Sequence, residues 1–229
     1  MVEIAGLFPA MLAQGEVSFL MKFVENAIWG GIAACAGWGM YCGILLITRI
    51  RKKRFPSAAA EQAFLNDVGE GVSSRDFDRV LGLCDTPEVW DKAVPQLITL
   101  AIQNRDQPLK KIRGILGERY DRDIVASLDR LNAWVNTSIK TAPQLGLLGT
   151  VLGMINAFAK ISGAAASGVD PKDLAADISF ALWTTAAGMA ISIPLIVLAG
   201  LATNRMTLMS ESVDEGLGQF FEGFEKVHG

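Results

Sequence analysis

The sequence has little of what most enzymes and metal sites are built from. One histidine and three cysteines occur among 229 residues, and Cys35, Cys42 and Cys84 do not have the spacing of metal ligands. The net charge is only −3, so no broad basic surface is available for nucleic acid. We find no paired carboxylates, histidine-centred constellation or phosphate loop, and we therefore expect neither an enzyme nor a cofactor.

Charged residues are also missing from three long stretches. Residues 27–48, 141–159 and 178–203 contain no Asp, Glu, Lys, Arg or His. Hydrophobic residues make up 51% of the chain, and the mean hydropathy is +0.32. At about 1.5 Å per helical residue, each stretch is long enough to cross a hydrocarbon core of about 30 Å. The pattern predicts three transmembrane helices.

Basic residues at the ends of these stretches predict the topology. The cluster Arg49, Arg51, Lys52, Lys53 and Arg54 follows the first stretch directly, and the positive-inside rule places it in the cytoplasm. Lys140 and Arg205 flank the other two stretches in the same sense. We expect a periplasmic interfacial helix (1–26), the first span (27–48), a cytoplasmic helical domain (49–140), the second span (141–159), a periplasmic loop (160–177), the third span (178–203) and a cytoplasmic C-terminal helix (204–229).

The cytoplasmic segment has the pattern of helices. Ser57 has the position of an N-cap for a helix to about Val72, and Ser73 or Ser74 that of an N-cap for a helix over 76–84. Pro87 has the position of a residue at a helix start. No strong breaker occurs between 108 and 143, and none follows the third stretch. We therefore predict an all-α membrane protein in which two of the three transmembrane helices extend into a cytoplasmic helical bundle.

Small residues and hydroxyl groups share one face of the second and third spans. At about 100° per residue these faces are formed by Gly146, Gly149, Thr150 and Gly153, and by Ala181, Thr185, Gly188 and Ser192. Such a face either packs closely against another helix or lines a polar path through the membrane. Pro194 lies nearly opposite on the third span and removes the hydrogen bond to the Ala190 carbonyl. If protons cross here, a partner must supply the titrating group, because the spans contain no ionisable residue that could carry one.

Two motifs in these spans carry a resemblance to a known family. Residues 142–154, APQLGLLGTVLGM, and 181–194, ALWTTAAGMAISIP, resemble the second- and third-span signatures of ExbB and TolQ in the MotA/TolQ/ExbB proton channel family. The resemblance implies a homopentamer around two copies of a single-span ExbD/TolR-like partner, whose membrane aspartate is the missing acid. Thr150 and Thr185 match the family threonines that face this aspartate, and Thr184 is an additional neighbouring hydroxyl.

The resemblance also implies a function, with one departure from the family pattern. We expect an inner-membrane subunit that uses the proton or sodium motive force to energise transport or envelope processes, working with a TonB- or TolA-like protein. Phe180 stands where ExbB and TolQ carry a glutamate, and the nearest acid is Asp177. Asp177 is either an outer acid through which ions enter or the N-cap of the third helix.

Two other functions stay open at this point. A MotA-like flagellar stator subunit has four spans, whereas this sequence predicts three. A passive membrane scaffold would use the glycine and hydroxyl faces only to pack helices, and no ion would move. Dependence of the partner system on an ion gradient discriminates the scaffold from the ion-driven motor.

Overall fold

The computed structural model describes residues 14–163 and 170–228, and it is helical in architecture over these ranges. The helices are α1 (Gln14–Lys53), α2 (Ala58–Ser73), α3 (Phe77–Cys84), α4 (Ala93–Gln103), α5 (Leu109–Arg119), α6 (Ala126–Gly163) and α7 (Pro171–His228). A π-helical segment, Tyr120–Val125, connects α5 to α6. The described residues contain no strand, which confirms the predicted all-α class for this part of the chain.

Three helical stretches are long and apolar enough to cross a membrane. They are Lys22–Lys53, Leu109–Ser162 and Pro171–Val227. Each of them contains one of the uncharged runs from which a span was predicted. The chain is therefore a membrane protein with three candidate spans among the described residues, while the exact limits of these spans stay predictions.

Two prolines lie inside the long helices without ending them. Pro143 is inside α6, and Pro194 is inside α7. Since proline has no N–H group, the carbonyls of Ile139 and Ala190 lose their usual helical partners. Membrane helices tolerate this loss because neighbouring helices, hydroxyl side chains and local adjustments can satisfy the freed groups.

The chain divides into two compact units. The first contains α1 up to Tyr41 and Val135–Val197 of α6 and α7. The second contains Cys42–Trp134 and the chain from Leu198 onward. Each of the three long helices therefore contributes residues to both units.

In the first unit, glycines bring α1 close to the other two helices. A Cβ atom at Gly39 would lie 2.8 Å from the Cβ atom of Ser138 and 2.9 Å from Cδ1 of Leu195. A Cβ atom at Gly31 would lie 2.9 Å from Cδ1 of Leu145. Any side chain at these two positions would push on its neighbours, so the glycines set how closely α1 packs.

The second unit has an apolar core of its own. Its most deeply buried side chains include Val68, Leu97, Ile98, Ile102, Ile112, Leu116, Met209 and Phe224. The ring of Phe224 stacks on that of Phe220 at 5.3 Å and meets the ring of Phe77 edge-on at 6.2 Å. On the surface of this unit, Arg113 of α5 forms an ion pair with Glu225 of α7 at 2.6 Å. These contacts attach the end of α7 to the short helices.

Two predicted helix starts in this unit are wrong, and one is in place. Ser57 caps α2 by accepting a hydrogen bond from the Ala60 N–H. The cap of α3 is Asp76 rather than either preceding serine, because Ser74 closes α2 and Arg75 follows in a left-handed conformation with φ 61°. Residues 85–91 form turns, so no helix starts at Pro87, and the next helix begins at Ala93.

The interfacial helix predicted for residues 1–26 is covered only in part. Residues 1–13 lie outside the described residues. From Gln14 onward the backbone is already part of α1, which continues past residue 27 without a break. The described part of this segment is thus the beginning of the first long helix and not a helix of its own.

Candidate functional site

The candidate site is the contact between α6 and α7 in the first unit, and glycines make this contact close. A Cβ atom at Gly153 would lie 2.7 Å from the Cβ atom of Ala181 and 2.8 Å from the carbonyl oxygen of Asp177. A Cβ atom at Gly149 would lie 2.7 Å from the Cβ atom of Thr184. The small faces predicted from the sequence therefore pack against each other at these positions.

The next turns bring the two backbones themselves together. A Cβ atom at Gly146 would lie 2.8 Å from the carbonyl oxygen of Thr184 and 2.9 Å from the Cα atom of Thr185. On the other helix, a Cβ atom at Gly188 would lie only 2.6 Å from the carbonyl oxygen of Ala142. Both helices therefore need glycine at this contact.

Three hydroxyl groups occupy different positions relative to this contact. Thr185 donates a hydrogen bond to the Gly146 carbonyl at 2.9 Å, from one helix to the other. The Thr184 side chain is fully buried and donates to the Ala181 carbonyl at 2.9 Å, with the Gly146 carbonyl at 3.4 Å. Thr150 donates to the Leu147 carbonyl of its own helix at 2.6 Å. The structure thus brings Thr184 and Thr185 to Gly146, while Thr150 lies one turn farther along α6.

Ser192 continues the same face of α7 beyond Gly188. Its side chain is 5% exposed, and its hydroxyl donates to the Met189 carbonyl of the same helix at 3.1 Å. Thr150 and Ser192 therefore form the same kind of bond, in which a membrane hydroxyl is satisfied by its own helix. Of these four hydroxyls, those of Thr185 and Thr184 are directed toward the backbone of the neighbouring helix.

Asp177 lies inside α7, and its suggested role as the N-cap of this helix is wrong. The helix begins at Pro171, and the Lys172 N–H donates to the carboxylate of Asp170 at 2.9 Å, so Asp170 caps it. The Asp177 carboxylate instead forms an ion pair with the ammonium group of Lys160 on α6 at 2.7 Å. The Asp177 side chain is 15% exposed, which leaves it a largely buried acid at this end of the helix pair.

Sequence reasoning missed a second acid in the same unit. Asn156 of α6 donates a hydrogen bond to the Glu25 carboxylate of α1 at 3.2 Å. The sequence pattern places Glu25 in the predicted interfacial helix 1–26 and gives Asn156 no role. A signal was present, because Asn156 is a polar residue in an uncharged run and lies three residues after Gly153 and four before Lys160, on one helix face.

No metal centre is formed by the residues that the structure describes, since no group of three His, Cys, Asp or Glu side chains comes together there. Around Gly146 the polar groups of the α6/α7 contact are hydroxyl and carbonyl groups, whereas the ion pair of Lys160 with Asp177 lies nearer the end of the helix pair. A threonine hydroxyl can donate and accept hydrogen bonds, but it does not change its charge near neutral pH. Such groups can hold or orient a carboxylate that titrates, yet they cannot replace it.

Comparison with known proteins shows the family to which the chain belongs. The sequence model of the MotA/TolQ/ExbB proton channel family matches residues 89–215, which is more than half of the chain and includes both glycine-lined helices at their contact. The chain belongs to this family. The resemblance seen in the two membrane motifs is thereby confirmed, and the ExbB and TolQ branches are those to which it is close.

Two relatives show how similar this chain is to other proteins in sequence. It is 28% identical over 166 residues to the Tol-Pal system protein TolQ of Haemophilus influenzae, which covers 71% of this chain and 68% of that protein. It is 36% identical over 106 residues to the biopolymer transport protein ExbB of Helicobacter pylori, which covers 43% of this chain and 72% of that protein. The match to the family model covers the α6/α7 contact.

Proposed function

We propose that this protein is the ExbB/TolQ-like subunit of an inner-membrane motor driven by the proton or sodium motive force. In this proposal it works with a single-span ExbD/TolR-like partner to energise transport or envelope processes, together with a TonB- or TolA-like protein. The relatives support this direction, because one is named a Tol-Pal system protein and the other a biopolymer transport protein.

The observation that carries the proposal is the pairing of Thr185 with Gly146. The Thr185 proton is donated to the Gly146 carbonyl, and the Thr185 oxygen can still accept a hydrogen bond from a protonated carboxyl group. Residues 141–159 and 178–203 contain no carboxylate of their own. A partner aspartate next to Thr150 and Thr185 would supply the group that titrates. One elementary charge moving through about 100 mV releases about 2.3 kcal/mol, which is enough to bias a conformational cycle.

The proposed assembly is a homopentamer around two partner chains. Its N-terminus is periplasmic and its C-terminus cytoplasmic, and residues 49–140 and 204–229 form a cytoplasmic helical bundle. The basic cluster at Arg49, Arg51, Lys52, Lys53 and Arg54 supports this orientation through the positive-inside rule. In this assembly Thr150 and Thr185, which are only partly buried within the chain, would face the partner helices.

Asp177 is our candidate for the outer acid through which ions enter. It lies three residues, or about one helical turn, before Phe180, the position where ExbB and TolQ carry a glutamate. Its largely buried carboxylate is held by Lys160, and an incoming cation could compete with that ammonium group. Thr184 is buried in the helix contact, so we assign it a supporting role beside Thr185.

The test combines stoichiometry with ion flux. The protein is co-purified with a single-span partner that carries a membrane aspartate, weighed by native mass spectrometry and reconstituted into vesicles. Proton flux is then followed with a pH-sensitive dye under an imposed potential. The variants are Thr150→Val, Thr185→Val and Asp177→Asn, and Thr48→Val is the control because its hydroxyl also bonds only its own helix, at the Ile44 carbonyl.

We expect five copies of this chain with two partner chains, and a proton flux reduced about fivefold for each threonine variant, as the loss of about 1 kcal/mol from one hydrogen bond predicts. Thr→Ser at either position should restore the flux. If the valine pair leaves flux and assembly at the control level, the ion-path roles are wrong. A monomer or dimer without a partner, and with no ion dependence, would favour the passive scaffold.

A further inference from the structure

An open groove in the second unit is lined by the end of α1, the start of α2 and part of α7. Its volume is about 760 Å³. Three arginines line it: Arg51 at the end of α1, Arg54 directly after that helix, and Arg205 on α7. The groove therefore concentrates positive charge that is far apart in the sequence.

These arginines have no anionic partner within the described residues. None of them lies within 4.0 Å of a carboxylate or makes a side-chain hydrogen bond in that part of the chain. Other cations of the same unit do find partners, as Lys53 does with Asp91 at 3.4 Å. The three guanidinium groups are thus available to an anion from outside the chain.

The same groove contains acids that could have neutralised the arginines but lie elsewhere in it. Glu61, Glu211 and Glu215 line it as well, and Glu61 accepts a hydrogen bond from Ser212 at 2.5 Å. On α7 the two glutamates follow Arg205 by six and ten residues, which is about 9 and 15 Å along the helix. The groove is therefore basic toward one end and acidic toward the other, so an anion is confined to the arginine end.

The arginine end is also the end next to the predicted spans. Arg51 and Arg54 follow the uncharged run 27–48, and Arg205 follows the run 178–203. On the proposed topology this end lies at the level of the cytoplasmic lipid headgroups. Basic pockets between membrane helices on this side suit anionic headgroups, and a planar guanidinium binds a phosphate through two parallel hydrogen bonds.

We propose that the arginine end of this groove binds the phosphate of an anionic phospholipid, such as phosphatidylglycerol, from the cytoplasmic leaflet. Arg51 and Arg205, on different helices, would hold the phosphate between them, with Arg54 beside it. The proposal rests on the predicted span ends and on the cytoplasmic side of the groove. It does not depend on ion-driven function.

Native mass spectrometry of the purified protein with added phosphatidylglycerol or phosphatidylethanolamine tests this site. The site variant is Arg51→Gln/Arg205→Gln. The control is Arg49→Gln/Lys52→Gln, which removes the same charge from the same membrane end but from residues that do not line the groove. Arg51→Lys/Arg205→Lys keeps the charge and loses the paired hydrogen bonds, and thermal melting verifies that every variant is folded.

We expect bound phosphatidylglycerol to fall about tenfold in the site variant and less than twofold in the control, with the lysine variant between them. Equal losses in the site variant and the control would mean that the cationic surface attracts lipid without this groove, and would overturn the proposal. If the unmodified protein retained phosphatidylethanolamine as well as phosphatidylglycerol, the proposal that the site selects an anionic lipid would be overturned. Displacement of the lipid by millimolar inorganic phosphate would identify a site for a soluble anion instead.

Discussion

Replacing Gly188 with alanine is the sharpest test of the contact between α6 and α7. The new Cβ atom would lie 2.6 Å from the carbonyl oxygen of Ala142 and 3.3 Å from the Cα atom of Pro143. Both of these are backbone atoms, so no side chain can rotate away to make room. The two helices would have to separate by roughly 0.5–1 Å, and a gap of that size loses about a quarter to a half of the dispersion energy of each affected contact.

Two contributions determine how much free energy of unfolding Gly188→Ala should lose. Overpacking of this kind costs about 1–3 kcal/mol. The same separation would stretch the hydrogen bond from Thr185 to Gly146, now 2.9 Å, toward or beyond about 3.5 Å, and a bond between membrane helices contributes about 0.6 kcal/mol on average. Relative to a Gly→Ala change on the same helix that meets no neighbour, we therefore expect Gly188→Ala to lower the free energy of unfolding by about 2–3 kcal/mol, or about 4–12 °C in Tm for a chain of this size.

Gly200→Ala is the matched control on the same helix. No atom lies within 4 Å of a Cβ atom at this position, and alanine is the better helix former by up to about 1 kcal/mol. Its Tm should not decrease. Thermal unfolding of both variants, followed by tryptophan fluorescence in the same detergent, gives the comparison. A Gly188→Ala protein that melts within about 2 °C of the control would refute the close contact of the two backbones.

Two further predictions concern the second unit. Burial raises the pKa of the Cys84 thiol to about 11, although a hydrogen bond with the Thr99 side chain lowers it. With Cys35 and Cys42 replaced by alanine, the neutral Cys84 thiol of the folded protein should therefore resist maleimide at pH 8, and rapid labelling seen by mass spectrometry would contradict this. The contribution of this thiol to the free energy of unfolding should decline from pH 9 toward pH 11, because the thiol ionises at lower pH in the unfolded chain than in the folded one. Phe224→Ala should lower the free energy of unfolding by about 3–5 kcal/mol, since its ring is 1% exposed, and Phe224→Leu should lose less in the same melts; an unchanged Tm would argue against this core.

Much of the membrane part could be predicted from the sequence because its signals are long or periodic. An uncharged run of about 20 residues has few alternatives to a membrane helix. The shared face of Gly146, Gly149 and Gly153 follows from helix geometry alone. Whether this face packs or lines a path needs the neighbouring helix, and the structure provides it through Ala181 and Thr184.

Two kinds of feature could not be predicted: the choice among neighbouring residues that all suit the same helix cap, and contacts between residues far apart in the chain. Ser73, Ser74 and Asp76 all suit a helix N-cap, and only the end of α2 at Ser73 decides among them. The pairing of Glu25 with Asn156 spans 131 positions, and although Asn156 is conspicuous as a polar residue in an uncharged run, no local pattern indicates that its partner is Glu25. The sequence shows that Asp177 is an acid near a predicted helix start, but its partner Lys160 comes from the preceding helix.

The glycine-lined crossing has a mechanical consequence. Because backbone lies against backbone at Gly146 and Gly188, α6 and α7 have almost no compressible side-chain layer between them at this point. A displacement applied to one helix is passed to the other with little loss, whereas a contact built from long side chains would absorb part of it by rotamer changes. If the proposed motor cycle moves either helix, we expect the two helices to tilt together.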